Sequence, residues 1–148
     1  MSALVYTAVL LAIGAPPAGR EAASAERKDN VEQISDELLR RVLQDNLAVA
    51  LVRVVATEVA APGTRSEAAV ADLAVERVVF GDLAPTVAAW RYGAKETTLV
   101  QTHRYVVVVK RGMDYTPLLG FVEVPPGAED EAVRVHREAL ERLRKTRP

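Results

Sequence analysis

The 148-residue chain contains no cysteine, which excludes disulfides, thiolate metal sites and a cysteine nucleophile. It has only two histidines, His103 and His136, and neither lies in an H-x-x-x-H or H-E-x-x-H pattern. We therefore expect no metal ligands and no metal cofactor. The formal net charge is -1, so there is no global attraction to nucleic acid or to an anionic membrane. Partners must be inferred from local features.

Motifs for enzymatic chemistry are also missing from the sequence. No G-x-S-x-G turn surrounds a serine, and Ser66 lies in a polar loop. Neither a Walker loop nor the glycine fingerprint of dinucleotide-binding proteins is present. The sequence therefore predicts a protein that is not an enzyme, with no catalytic residues and no cofactor.

The composition is that of a globular protein. Apolar residues make up 49% of the chain and charged residues 26%, a mixture that favours a packed core over disorder. A chain of this length suits one domain of ordinary size.

The amino terminus resembles an export signal. Residues 3–15 form an uncharged apolar run, shorter than the roughly 20 residues that a membrane-crossing helix needs. Pro16 and Pro17 follow, and Ala23-Ser24-Ala25 has the small-x-small pattern of a signal-peptidase site. We predict a signal peptide over residues 1–25 and a secreted or periplasmic mature protein. The alternative is a buried segment of the fold or a misplaced start codon.

Apolar residues recur at helical spacing in two segments. The first runs from Val31 to Gln44, and Asn30 followed by Gln33 resembles a capping box at its start. The second runs from Ala128 to Lys145, with acidic residues in its first turn and basic residues in its last. The predicted apolar face of the second helix is Val133, His136, Leu140 and Leu143, with His136 at the boundary of that face.

Five runs rich in valine or threonine are predicted to be strands. They cover residues 47–59, 69–82, 86–92, 104–111 and 118–124. The alternation of apolar residues slips at Glu76-Arg77, which predicts a bulge there or a twist that exposes both faces. We predict a mainly β fold, a five-stranded Greek-key barrel, with a helical segment over 26–46 and the barrel and second helix over 47–148.

The strand ending V-E-R-V-V-F-G-D, Val75 to Asp82, and the later R-Y-V-V-V-V, Arg104 to Val109, resemble the netrin-like branch of the OB-fold. That branch includes the tissue inhibitors of metalloproteinases and small secreted bacterial proteins. The resemblance implies an OB-like barrel with helices packed on it. Inhibition of metalloproteinases is not implied, because it depends on an amino-terminal cysteine that this chain lacks. A glycine commonly precedes the R-Y strand in such proteins, whereas Thr102-His103 stands here.

The candidate partner-binding residues are Trp90, Arg91, Tyr92 and Arg104. Together they could form the aromatic and basic face with which OB-folds stack bases and contact phosphates. The competing and favoured interpretation is that Trp90 and Tyr105 fill the barrel. Binding would then fall to the exposed loops, residues 62–66 and 94–102.

The function predicted from the sequence is a non-enzymatic binding module that recognises a protein or an envelope component. The first alternative is an intracellular OB-fold that binds single-stranded nucleic acid. The second is a small hydrolase, which requires His103 or His136 in a pocket within hydrogen-bond reach of a carboxylate.

Overall fold

The structure is a computed structural model that describes residues 31–92 and 99–146. The predicted signal peptide, residues 1–25, lies outside the described residues, as does the loop segment 93–98. In chain order the elements are α1 (Asp36–Gln44), β1 (Leu47–Ala60), β2 (Ala68–Phe80), β3 (Thr86–Tyr92), β4 (Arg104–Lys110), β5 (Tyr115–Pro117), β6 (Gly120–Val124) and α2 (Glu129–Lys145).

All six strands belong to one sheet, in the order β5-β3-β2-β1-β4-β6. The β3–β5 pair is parallel, and the other four neighbouring pairs are antiparallel. β5 and β6 stand at opposite ends of this order, although only Leu118 and Leu119 separate them in the chain. The Leu118 amide donates to the Trp90 carbonyl on β3 at 2.9 Å, and the Leu119 amide donates to the Val108 carbonyl on β4 at 2.9 Å. One short segment therefore contacts both ends of the sheet.

The predicted mainly β fold and the two helices are confirmed, and the sheet of the described residues has six strands where the sequence predicted five. The sequence predicted one strand over 118–124, whereas β6 begins at Gly120 and the short β5 precedes it. The remaining four strands lie where the sequence predicted them, within two residues at each end. β5 has only three residues and pairs with the distant β3, so alternation of side chains along the sequence gives no signal for it.

The long strands β1 and β2 are bent by irregular pairing. Leu51 pairs with Arg77 and Val52 with Val75, so Glu76 has no partner of its own on β1. This irregularity confirms the bulge predicted at Glu76-Arg77. Two further shifts occur along the same pair of strands. Bulges increase local twist and bend a sheet, which explains how strands of 14 and 13 residues wrap around one core.

The sheet buries side chains on both of its faces. One face forms a core of alternating residues from four strands, with Leu99 beside them: Ala48, Ala50, Val52, Val54, Ala71, Leu73, Val87, Ala89, Tyr105, Val107 and Val109. Val49 and Leu51 of β1, and Val106 and Val108 of β4, alternate with this core and are also buried. The two helices cover that second side, because both pack on β1 and on each other.

α1 starts later than the capping pattern predicted. The sequence placed its first residue at Val31, but the helix begins at Asp36, and the Ser35 hydroxyl accepts a hydrogen bond from the Leu38 amide as the N-cap. Gln33 does not complete a capping box; its side-chain amide donates to Asp36 Oδ1 at 2.9 Å. Residues 31–35 are extended because the Ile34 amide donates to a side chain of α2 instead of continuing a helix.

That side chain is His136, which the sequence predicted to lie at the boundary of the apolar face of α2. It is fully buried, and its Nε2 accepts the Ile34 amide at 3.0 Å while Nδ1 donates to the Ala132 carbonyl at 2.8 Å. These two bonds require a neutral ring with its proton on Nδ1. Burial lowers the pKa of His136 from its ordinary 6.5, although the hydrogen bond to Ala132 opposes this. His136 therefore ties the chain entering α1 to α2.

Candidate binding face

Three aromatic side chains gather on β3 and β5, on the face of the sheet opposite the core. The ring centroids of Trp90 and Tyr92 lie 4.4 Å apart, and those of Trp90 and Tyr115 lie 6.1 Å apart. Tyr92 is 65% exposed and Tyr115 51% exposed, whereas Trp90 is partly buried. Such centroid distances are typical of interacting aromatic pairs. We call Trp90, Tyr92 and Tyr115 the aromatic cluster.

Strand alternation explains why the cluster faces outward. Val87 and Ala89 of β3 point into the core, so Ala88, Trp90 and Tyr92 point to the opposite side. Tyr115 pairs directly with Ala88 across the parallel β3–β5 ladder. The short β5 thus brings Tyr115 beside a residue 25 or more positions earlier in the chain.

The surface beside Trp90 on β2 is small and apolar. Val70 pairs with Trp90, and Ala68 pairs with Tyr92. Val70 faces outward with Trp90 but is only 4% exposed, so neighbouring side chains must cover it. Trp90 therefore lies beside small apolar side chains of β2.

Carboxylates border this surface. Asp72 pairs with Ala88 and is exposed, and Asp114 directly precedes Tyr115. Both line a depression together with Ala84, Thr86, Val87 and Ala88. On the neighbouring strand β1, Glu58 pairs with Val70 and is also exposed. Three exposed carboxylates thus lie near the rings, and we call Glu58, Asp72 and Asp114 the acidic border.

Two of the four predicted binding residues do not belong to this surface. Arg91 points to the other side of β3, where its guanidinium carbon lies 5.6 Å from the centroid of the Phe121 ring. Arg104 lies on β4, and its Nε donates to Glu76 at 2.6 Å. Trp90 and Tyr92 are brought together as predicted, but without the two cations.

The favoured interpretation of the aromatic residues was right for one of them. Tyr105 is 2% exposed and packs in the core, edge-on to Phe121 with their ring centroids 6.0 Å apart. Burial raises the pKa of the Tyr105 hydroxyl, which accepts the Val100 amide at 2.9 Å. Trp90 does not fill the core. Sequence reasoning also missed Tyr115, Asp72 and Asp114, whose association with Trp90 depends on strand pairing.

A second group of polar residues surrounds Arg104 at the other end of β2. Glu76 contacts both Arg104 and Arg53, the latter at 3.6 Å, and Arg104 reaches Glu129 at the start of α2 at 3.9 Å. Hydrogen bonding to Glu76, with its charge, raises the pKa of Arg104. These cations already have carboxylate partners, which leaves them poorly suited to bind phosphate.

His103 lies next to this group, in a pocket of about 230 Å³ that Arg104 and Glu129 also line. Its Nδ1 is 3.0 Å from Glu123 Oε2, and both side chains are about half exposed. The preceding Thr102 has a φ of +73°, a conformation that a β-branched residue rarely adopts. Glycine would adopt this φ without strain.

Within residues 31–92 and 99–146, no three histidine or acidic side chains are grouped so that they could hold a metal ion. Among the described helices, none has the length and apolar character needed to cross a membrane. Comparison of the chain with protein-family models, with curated proteins and with solved structures gives no match. Functional inference therefore rests on the geometry of this chain.

Proposed function

We propose that this protein is a non-enzymatic binding module, secreted or periplasmic, that recognises a protein or an envelope component. The observation that carries the proposal is the exposed aromatic cluster of Trp90, Tyr92 and Tyr115 on β3 and β5. Tyrosine and tryptophan are enriched at the centres of protein interfaces. Three such rings on one surface favour a docking role over a purely structural one.

We also propose that the sheet closes into an OB-like barrel that resembles the netrin-like proteins. Three features support this. β1 pairs with both β2 and β4, β3 pairs in parallel with β5, and the segment between β5 and β6 donates hydrogen bonds to β3 and β4. If β5 and β6 act as one bent strand, five strands complete the circle. Trp90 and Tyr92 would then lie on strand 3, one of the strands with which OB-folds bind their ligands.

Amide hydrogen exchange tests the closure. In a closed barrel, the amides of Leu118 and Leu119 should be protected as strongly as those in the middle of β4, because both are hydrogen-bonded at the junction. Rapid exchange at either amide, with β4 still protected, would contradict the closure.

Site-specific photo-crosslinking tests the binding role. A benzophenone amino acid at position 92 should form a discrete adduct when the protein is illuminated in its native extract. The matched control has the same amino acid at position 138, which is exposed on α2 and distant in sequence from the aromatic cluster. Adducts at both positions, or at neither, would contradict a binding role for this surface.

Export has its own test, because the proposed location depends on residues 1–25. Amino-terminal sequencing of protein from the periplasm or the medium should begin after Ala25. An intact Met1 in cytosolic protein would instead favour the intracellular, nucleic-acid-binding alternative.

A small hydrolase is the second candidate, and the His103–Glu123 pair is the observation in its favour. A histidine oriented by a carboxylate is the usual arrangement of a general base. The exposed Ser66 lies in the loop between β1 and β2, far along the chain from this pair. Turnover of an activated ester that is lost in His103→Gln but retained in Glu37→Gln would support this candidate; equal rates in both variants would reject it.

A further inference from the structure

We propose that the aromatic cluster and its acidic border bind a basic polypeptide segment, with a lysine or arginine side chain seated over Trp90 and Tyr92. This inference rests on the proposed function, because it names the chemistry of the partner that the same surface would take. It follows from the rings and the carboxylates together, and neither feature alone would support it.

The rings supply a site for a cation. Lysine and arginine are attracted to the faces of tryptophan and tyrosine within about 6 Å of the ring centroid. Trp90 is flanked by Tyr92 at 4.4 Å and Tyr115 at 6.1 Å, measured between centroids, and the ring planes are tilted by 49° and 33°. A guanidinium or ammonium group lying over Trp90 would therefore be near more than one ring.

The border supplies the complementary charge. Asp72 lies in the row of paired residues that includes Ala88 and Tyr115, and Glu58 lies in the row that includes Val70 and Trp90. The neighbouring 61–67 loop carries one cation, Arg65, and one carboxylate, Glu67, which offset each other. The local charge thus favours a cationic partner and repels phosphate. The same charge disfavours single-stranded nucleic acid.

The shape of the surface favours a chain over a small amine. Small ligands are usually held in concave sites that bury most of their surface. Here Tyr92 and Tyr115 are more than half exposed, and the paired residues around them extend across β2, β3 and β5. An extended segment can contact such a surface along its length, with one basic side chain at the rings and another at the acidic border.

The test uses Trp90, the only tryptophan in the chain, as its own reporter. Mature protein is titrated with octalysine, with octaglutamate, with oligothymidylate and with a neutral oligosaccharide, and Trp90 emission is followed. Octalysine should give a saturable change that weakens as salt is added. Octaglutamate should give none.

The variants keep the reporter in place. Asp72→Asn combined with Asp114→Asn should weaken octalysine binding about tenfold, and Tyr92→Ala should weaken it about threefold. The matched control is Glu37→Gln, which removes an exposed carboxylate from α1 and should bind octalysine like the unaltered protein. Far-ultraviolet circular dichroism checks that each variant is folded.

Several results would overturn the inference. They are the absence of a saturable response to octalysine, an equal response in the Asp72→Asn/Asp114→Asn variant, and saturable binding of oligothymidylate or of the oligosaccharide without binding of octalysine. If position 92 still crosslinks to a partner while octalysine has no effect, the binding role stands and only the basic chemistry is wrong. If both experiments are negative, both proposals fail.

Discussion

Two regions of the outer face of the sheet, the face opposite the core, differ in what covers them. In the helix-covered region, where α1 and α2 pack, Val49, Leu51, Val106 and Val108 are buried, and each helix contributes fully buried side chains such as Leu39 and His136. In the aromatic region, on β3 and β5, Trp90 is partly buried and Tyr92 and Tyr115 are more than half exposed. The helix-covered region is built for stability, because burial of each large aliphatic side chain contributes about 1.5–3 kcal/mol. The aromatic region leaves large rings in contact with water, which is the pattern of a docking surface.

The largest expected difference in stability is between a substitution of a buried residue in the helix-covered region and a substitution in the aromatic region. Leu39→Ala removes a side chain that is 0% exposed and should lower the free energy of unfolding by about 2–5 kcal/mol. Tyr92→Ala removes a side chain that is 65% exposed and should cost about 1 kcal/mol or less. Urea denaturation at neutral pH measures both. Equal costs would mean that the aromatic cluster is part of the structural core after all.

The next effect concerns His136, the buried link between the chain before α1 and α2. His136→Phe keeps an aromatic ring, although a larger one, and leaves the buried Ile34 amide without its acceptor, so the free energy of unfolding should fall by about 1–3 kcal/mol. The unaltered protein should also lose stability as the pH falls below about 6.5. Burial lowers the pKa of His136 in the folded state, so the unfolded chain takes up the proton first and unfolding is favoured in that range.

The loss of stability caused by His136 can be distinguished from that caused by other titrating groups in two ways, by its pH range and by a matched variant. Hydrogen bonds from arginine lower the pKa values of Asp36, Glu131 and Glu141, so their contributions are lost only as the pH falls through and below their ordinary values of 3.8 and 4.5. The dependence between pH 6.5 and 5 should disappear in His136→Phe and persist in His103→Gln. Its persistence in His136→Phe would show that another group is responsible.

The smallest effect on stability is expected at Thr102, which belongs to neither region. Its φ of +73° is costly for a β-branched residue, and glycine adopts it freely. Thr102→Gly should raise the free energy of unfolding by up to about 1 kcal/mol, since the gain from relieved strain is partly offset by the greater freedom of glycine in the unfolded chain. The midpoint of urea denaturation measures the change. A loss of stability would mean that contacts of the threonine side chain outweigh the strain.

The aromatic cluster was only partly predictable from the sequence. The sequence identified Trp90 and Tyr92 as candidates because they stand together on a predicted strand. It also grouped Arg91 and Arg104 with them, since proximity along the chain was the available criterion. In the folded protein Arg91 stacks on Phe121 and Arg104 pairs with Glu76, whereas Tyr115 joins the cluster through β5.

The sequence by itself determined the elements of this protein. Valine-rich alternation defined the four longer strands, the slip at Glu76 defined a bulge, and the helical spacing and terminal charges defined α2. These signals are local, because side-chain period and backbone preference are properties of neighbouring residues. Only the tertiary structure decided which face of β3 meets solvent, which strand pairs with β5 and how His136 reaches an amide 102 residues away. Those outcomes depend on the register and packing of distant segments, and no local pattern encodes them.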